Sequence, residues 1–300
     1  MLVGSTGIQS MAALATTLFD DLGPVAVSGL RMTTAAVVLL LIARPRIWRF
    51  TRDDWRSVMV YGLVSALMNV FFYLAVAHIP LGVAVTVEYL GAFTVAMVGV
   101  RRIRDGVFAV GALAGVALIA GPEFGAADLL GYLFALGAAA SMAGYTLYSA
   151  KIGAGSPAAA GIRGLSVSIA IGALLLSPVS VPQMPGLDAR QWLIAACLGV
   201  FGLALTFSCD VLAASLTSPA VVGVFFSLDP VVSSVIGVLM LGQVLSVPAY
   251  LGIALIVLSG AAVTWRVNRS AHVITTHTDA LPVLHTGQIP HLDRSRHNSR

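Results

Sequence analysis

Long apolar runs dominate the chain and predict membrane-spanning helices. A helix needs about 20 mostly apolar residues to cross a bilayer. Ten runs close to this length, bounded by charge, proline or glycine, occur along the sequence. They are Leu2–Phe19, Pro24–Ala43, Ser57–Ala77, Leu81–Val100, Val107–Gly121, Leu129–Ala150, Gly164–Val181, Trp192–Leu212, Pro219–Leu241 and Pro248–Trp265. Most connections are only a few residues long, so we expect neighbouring spans to form antiparallel hairpins.

The first run also has one feature of a cleaved signal peptide. Ala13-Leu14-Ala15 fits the small-residue pattern of a cleavage site. However, no Lys or Arg occurs before Arg31, and polar residues interrupt the apolar segment. We therefore expect a transmembrane helix, which the choice of Met1 as the start could have shortened.

Composition agrees with an integral membrane protein. Hydrophobic residues make up 58% of the chain, charged residues 10%, and the mean hydropathy is +0.93. Soluble domains carry about 25% charged residues, so a soluble enzyme, a nucleic-acid binder and a disulfide-stapled secreted domain are poor interpretations. Cys197 and Cys209 lie in one predicted helix, about 18 Å apart, too far for a disulfide. We interpret both as small buried hydrophobic residues.

The distribution of positive charge predicts the orientation. Fifteen Lys and Arg residues fall on one side of the predicted membrane, and Arg190 alone falls on the other. The fifteen are Arg44, Arg46, Arg49, Arg52, Arg56, Arg101, Arg102, Arg104, Lys151, Arg163, Arg266, Arg269, Arg294, Arg296 and Arg300. The positive-inside rule makes that side cytoplasmic, and an even number of spans then places both termini there.

Two halves and a tail are predicted. The segment from Tyr61 to His78 aligns without gaps with Leu198 to Ser215, and each runs into a proline and another apolar span. The aligned spans run in opposite directions, so residues 1–121 and 129–265 would form an inverted five-plus-five repeat, typical of secondary transporters. Residues 266–300 are polar and predicted to be a disordered cytoplasmic tail. Its five histidines are irregularly spaced, and we predict no metal site.

Four ionisable residues interrupt the predicted spans: Arg31, Glu88, Asp210 and Asp229. Each would cost about 2.5–3.5 kcal/mol at the centre of a lipid-facing helix. They must therefore pair with one another, become neutral or face water. This requirement predicts an aqueous cavity inside the helix bundle.

Their predicted depths suggest different roles. Asp229 lies near the midplane, where Pro230 frees a backbone carbonyl and predicts a helix break. Glu88 is either a site for a proton or a substrate amine, or the structural partner of Arg31. Arg31 in turn either binds a substrate carboxylate or reaches outward to the interface. Asp210 lies near the cytoplasmic end of its span, where an interfacial carboxylate is expected.

Further polar side chains complete the predicted substrate or ion pathway. Asn69 and Tyr73 are four residues apart on one helix face, and with Tyr89 they are candidates for hydrogen bonds in the cavity. The chain has no P-loop, HExxH or GxSxG motif. We therefore expect no enzymatic activity and no cofactor.

At these residues the chain resembles EamA-type transporters of the drug/metabolite transporter superfamily, most of all the threonine/homoserine exporter group. The resemblance rests on Tyr61 to Glu88, which includes Pro80-Leu81-Gly82, and on Ser227-Leu228-Asp229-Pro230. It covers about Leu2 to Trp265. Three features depart from the family pattern: Ala92 replaces a proline, Gln243 replaces a common glutamate, and aspartates replace glutamates at 210 and 229.

The resemblance implies ten helices in a bacterial inner membrane and export of small neutral amino acids by alternating access, with proton exchange as one option. The partners would be a small-molecule substrate and lipid, and the chain would be a monomer or a homodimer. Two alternatives stay open: a drug or other metabolite carrier, acting as an exporter or an importer, and a non-transport structural partner in the membrane.

Overall fold

The computed structural model describes residues 2–98, 110–111, 114–115, 118, 126–153, 156–206 and 229–279. Within these ranges the chain is helical and contains no β-strand. The longer helices are α1 (Leu2–Thr16), α2 (Pro24–Ala43), α3 (Arg52–Val76), α4 (Leu81–Val98), α5 (Ala126–Gly153), α6 (Ile162–Ser180), α7 (Ala189–Gly199), α8 (Asp229–Leu241) and α9 (Val247–Asp279). The all-helical class predicted from the apolar runs is thus confirmed, and the number of spans stays a prediction.

Local capping explains where several helices begin. Helix α2 has Pro24 in its first turn, where the missing backbone N–H is harmless. Helix α3 begins five residues before the predicted Ser57, because Thr51 and Asp54 form a capping box in which each side chain binds the other's backbone N–H. Asp188 and Gln191 do the same for α7. A search for apolar runs does not detect these polar starts.

The outer surface of the bundle is apolar. Leu41, Leu174 and Leu239 are each at least 68% exposed, and they are three of many large hydrophobic residues on the surface. Contiguous exposed apolar surface of this kind marks contact with lipid. Within the described ranges, four helical segments are long and apolar enough to cross a bilayer: Pro24–Ala43, Arg52–Val76, Leu129–Ser149 and Ile162–Gly186. Shorter apolar helices accompany them, and the chain is therefore a membrane protein.

Two parts of the chain differ from the sequence-based prediction, and one predicted span lies mostly outside the described residues. A wide π-helical turn at Val200–Ala204 continues α7. Helix α9 extends to Asp279, into the segment for which the sequence predicts disorder. The predicted fifth span, Val107–Gly121, lies largely outside the described residues.

Two hydrophobic clusters form the described core. One contains Val27, Val76 and Leu81, and the other contains Met32, Tyr61 and Leu165. Helix α2 passes from the first cluster to the second between Val27 and Met32, and α3 passes between Phe72 and Ala66. Arg31 on α2 and Asn69 on α3 therefore lie between two apolar layers. Helix α3 packs against α5 and α6, and α2 packs against α6 and α7.

Glycines allow helices to approach closely at two places in the bundle. A Cβ atom at Gly91 of α4 would collide with the backbone carbonyl oxygen of Ala139 on α5. Gly111 and Gly115, in the partly described fifth segment, lie against α9, where a Cβ at Gly115 would come within 2.8 Å of the Gly252 carbonyl oxygen. Small residues let membrane helices approach in this way. Gly111 and Gly115 thus serve packing inside the bundle.

We expect Gly91→Ala to destabilise the protein, because the added methyl group must push α4 away from α5. Overpacking of this kind costs about 1–3 kcal/mol, which corresponds to a melting temperature lower by roughly 2–9 °C. The measurement is thermal unfolding of the purified protein in detergent. Gly7→Ala in α1 is the matched control, because nothing lies within 4 Å of a Cβ placed there. Equal melting temperatures for both variants would contradict the close contact.

Candidate functional site

A single cavity between the two hydrophobic clusters collects polar side chains from seven helical segments. Its volume is about 90 Å³. Its lining combines one cationic residue, two acidic residues, several neutral polar residues and a few apolar ones. These are Ser5, Ile8, Gln9, Ala12, Arg31, Met68, Asn69, Phe72, Glu88, Tyr89, Met142, Tyr145, Thr206 and Asp229.

Arg31 is the buried cation of the cavity. It is only 3% exposed, and its Nη1 donates a hydrogen bond to the Tyr73 hydroxyl at 3.0 Å. Its Nη2 donates to the carbonyl oxygen of Gly202 at 2.7 Å. Gly202 lies in the π-helical turn, and wide turns of this type often occur at functional sites. The buried Nε donor of Arg31 has no protein partner among the described residues.

Glu88 projects from α4 into the same cavity. The residue is 8% exposed, yet within the described ranges its carboxyl group accepts no hydrogen bond. Arg31 attracts the Glu88 charge and Asp229 repels it. A buried carboxyl group without a protein donor requires water, a proton or a ligand to satisfy it. Glu88 is therefore the chemically unsatisfied acid of the site.

Asp229 differs from Glu88 in being hydrogen-bonded. Its two carboxylate oxygens accept from the hydroxyl groups of Ser5 and Tyr89, and the residue is 3% exposed. These contacts connect α8 to α1 and α4. Asp229 and Pro230 are the first described residues of α8, so the helix break predicted at Pro230 stays a prediction.

The structure brings most of the predicted site residues together. Arg31, Asn69, Glu88, Tyr89 and Asp229 all line the cavity. Asn69 turns its Nδ2 back to the carbonyl oxygen of Ser65 on its own helix, at 2.9 Å.

Of the other two predicted residues, only Tyr73 can be placed. Tyr73 is fully buried and is not part of the lining; it holds Arg31 from behind. Asp210 lies outside the described residues.

Four polar lining residues were missed by sequence reasoning: Ser5, Gln9, Tyr145 and Thr206. Ser5 and Gln9 are four residues apart on α1 and share a face, which is a detectable signal. From the sequence, Gln9 was interpreted only as a weakening of the first apolar run. The Oε1 atom of Gln9 is buried and has no partner among the described residues. Thr206 follows the π-helical turn, and no pattern in the sequence indicates that turn. No group of three or more metal-ligating side chains occurs in the part of the chain that the structure describes.

This fold and cavity define a helical membrane protein with a sheltered ionic site. Residues 129–265 match the EamA-like transporter family. The resemblance to EamA-type transporters deduced from the sequence is thereby confirmed.

The relatives agree with this assignment. The chain is 29% identical to the threonine/homoserine exporter RhtA of Salmonella typhimurium SL1344, over 91% of this chain and 92% of that protein. The RhtA protein of Escherichia coli K12 is also 29% identical over the same shares of the two chains. The uncharacterized transporter YwfM of Bacillus subtilis is 36% identical over 44% of each chain. A solved crystal structure shares the fold, with a TM-score of 0.59 and 20% identity over 88% of this chain and 95% of that one.

We expect Tyr73→Phe to lower stability more than its small change in volume suggests. The substitution leaves a buried guanidinium N–H unpaired, which costs about 1–3 kcal/mol or more for a charged group. The measurement is again the melting temperature of the purified protein. Tyr250→Phe is the control, because Tyr250 is 46% exposed. If Tyr73→Phe melts like the control, the Arg31–Tyr73 hydrogen bond does not stabilise the site.

Proposed function

We propose that this protein is a secondary transporter that exports small neutral amino acids of the threonine and homoserine type across the cytoplasmic membrane. The observation that carries the proposal is one cavity in which a buried guanidinium group faces two buried carboxyl groups. Such a cavity has no structural need for its charges, since apolar side chains would pack at lower cost. The names of the RhtA relatives supply the substrate class.

The charge pattern of the cavity suits a zwitterion. Among the described residues the Arg31 Nε has no hydrogen-bond partner and the Glu88 carboxyl group accepts no hydrogen bond. A substrate carboxylate would pair with the first and a substrate ammonium group with the second. Gln9 Oε1 is a further acceptor for a substrate hydroxyl. A volume of about 90 Å³, at roughly 10–15 Å³ per water-sized group, accommodates about six to nine such groups. This is the size range of small amino acids.

Alternating access would use an inverted repeat of five plus five spans, and the helix contacts support it. In such a repeat α1 corresponds to α5, α2 to α6, α3 to α7, and α4 to α8. The contact of α3 with α5 then has its counterpart in α7 with α1, and that of α4 with α5 in α8 with α1. Helices α4 and α8 also contact each other directly. Substrate sites of repeat transporters lie between the halves, and the cavity has lining residues from both.

The orientation with both termini in the cytoplasm follows the positive-inside rule. Arg44, Arg46 and Arg163 share one end of the described bundle, where they line a common groove. Arg190 lies at the other end, beside Gln191, which binds Asp21. In this orientation, export would carry substrate from the arginine-rich cytoplasmic end of the bundle to the opposite end.

Proteoliposomes loaded with labelled threonine test the transport proposal directly. We expect efflux above that of protein-free liposomes loaded in the same way. We also expect Arg31→Gln to raise the KM for threonine about 10- to 100-fold, because hydrogen bonds to charged groups contribute about 1.5–3 kcal/mol. Arg190→Gln, which removes an exposed arginine, is the control and should transport normally.

The outcome also separates the alternatives. Efflux of a different metabolite or drug, with no threonine efflux, would favour a carrier of another substrate class. If folded wild-type protein moves no solute at all from a panel of amino acids, drugs and metabolites, a structural role in the membrane becomes the better interpretation.

We further propose that Glu88 carries the proton that drives export. Among the described residues no protein group donates a hydrogen bond to its carboxyl group to hold it ionised. We expect an inward proton gradient to accelerate threonine efflux from wild-type proteoliposomes. Glu88→Gln imitates the protonated acid permanently, so efflux should lose its dependence on the gradient while exchange of labelled for unlabelled threonine continues. Asp53→Asn removes an exposed acid and should keep the dependence. A Glu88→Gln variant that still responds fully to the gradient would exclude Glu88 as the proton carrier.

A further inference from the structure

A second recess, which shares no lining residue with the central cavity, lies at the arginine-rich end of the bundle. It is an open groove of about 700 Å³ between the end of α2, the turn that follows it and the start of α6. Four arginines line it: Arg44, Arg46, Arg49 and Arg163. We call this recess the arginine groove.

Four arginines and no described acidic residue line the arginine groove. Among the described residues none of the four arginines forms an ion pair with an acid. Arg163 donates to the carbonyl oxygen of Pro157 at 2.9 Å, and Arg44 donates to that of Leu41 at 3.3 Å. These bonds orient two guanidinium groups but neutralise neither. Four cations around one recess repel each other unless an anion joins them.

Asp54 does not line the groove itself but is hydrogen-bonded to its wall. Asp54 accepts hydrogen bonds from Thr51 and from both the backbone and the hydroxyl group of Ser156. Ser156 lines the groove. Asp54 therefore fixes the position of the groove wall, and its carboxylate is occupied in doing so.

The backbone supports a specific arrangement of these arginines. Arg44 adopts a left-handed conformation with φ 42° and ψ 58°, the only positive φ of a non-glycine residue among those described. This conformation is unfavourable for a residue with a Cβ and is usually left to glycine or asparagine. It ends α2 and reverses the chain, so that Arg46 and Arg49 follow Arg44 around the same recess.

Exposed apolar side chains accompany the arginines along this segment. Ile42 lines the groove and is 69% exposed, and Trp48 in the following turn is 77% exposed. Tryptophan is enriched where headgroups meet acyl chains. A ligand of the groove would thus meet cationic groups at one side and lipid-facing apolar groups at the other.

We propose that the arginine groove binds the phosphate of an anionic phospholipid of the cytoplasmic leaflet. Guanidinium groups bind phosphate oxygens in pairs of parallel hydrogen bonds, and basic pockets at the cytoplasmic ends of membrane helices suit anionic headgroups. The flanking Ile42 and Trp48 favour a ligand with acyl chains over a soluble phosphate. The site is separate from the transport cavity and does not depend on which substrate is carried.

The test compares two double variants of the full-length protein purified in detergent. R46Q/R49Q removes two charges from the arginine groove. R52Q/R56Q removes two exposed charges from the same end of the molecule but outside the groove lining. Each protein is titrated with short-chain phosphatidylglycerol, with phosphatidylcholine of the same chains, and with glycerol phosphate. Binding is followed by the rise in melting temperature, since a ligand stabilises the folded state that binds it.

We expect wild-type protein to bind phosphatidylglycerol saturably and in preference to the other two ligands. R46Q/R49Q should bind it at least about tenfold more weakly, because each cationic residue near a headgroup contributes about a fivefold factor. R52Q/R56Q should stay within about twofold of wild type. R46K/R49K keeps the charges but loses the paired hydrogen bonds, so it should fall between wild type and R46Q/R49Q.

Three outcomes would overturn the proposal. Equal weakening by the two glutamine double variants would indicate general attraction to a basic surface. Equal binding of phosphatidylcholine would indicate a site for acyl chains alone. Equal binding of glycerol phosphate would indicate a site for soluble phosphates. If R46Q/R49Q is unfolded without ligand, the phosphatidylglycerol affinities of R46K/R49K and R52K/R56K are compared instead. The proposal then requires weaker binding by R46K/R49K only.

Discussion

Hydrocarbon cannot solvate an isolated charge, and this constraint governs the interior of the protein. Arg31, Glu88 and Asp229 come from three different helices, yet all three converge on one cavity. Facing lipid, each would oppose insertion by about 2.5–3.5 kcal/mol. Between two apolar core clusters they instead meet one another, polar side chains and the space for a ligand. The positions of α2, α4 and α8 around the cavity are thus dictated by the need to shelter these groups.

The cation is held more firmly than either acid. Tyr73 and the carbonyl oxygen of Gly202 fix two nitrogens of Arg31 and connect α2 to α3 and to the π-helical turn after α7. Gly202 lies in the π-helical turn, so Arg31 is held at the point where this helix widens. Glu88 has no comparable support within the described residues. The site therefore combines a fixed positive group with an acid that is free to change its protonation or its partner.

Sequence reasoning predicted the helices and the charged residues for the same physical reason. The length of an apolar run predicts a span such as Pro24–Ala43. Because a charge within a span is costly unless it is sheltered, Glu88 and Asp229 were predicted as site residues. The rest depends on contacts between distant segments. Nothing in the local pattern shows that Ser5 reaches Asp229, that Gly202 offers its carbonyl to Arg31, or that Tyr73 lies behind the cavity and not in it. Backbone acceptors and small hydroxyls carry almost no signal in a sequence.

The two acids lie on the helices that an inverted repeat would exchange, and those helices are connected at a second point. Gln243, just after α8, accepts a hydrogen bond from the backbone N–H of Leu81 at the start of α4, at 3.0 Å. Gly82 lies so close to Ser234 that a Cβ would collide with it. Any relative movement of α4 and α8 would therefore change both this contact and the separation of Glu88 from Asp229. Repulsion between two ionised carboxylates favours separation of these helices, and a proton or a substrate ammonium group between them removes it. Under the proposed mechanism, the occupancy of the cavity and the closure of that end of the bundle are thus coupled by electrostatics across one helix pair.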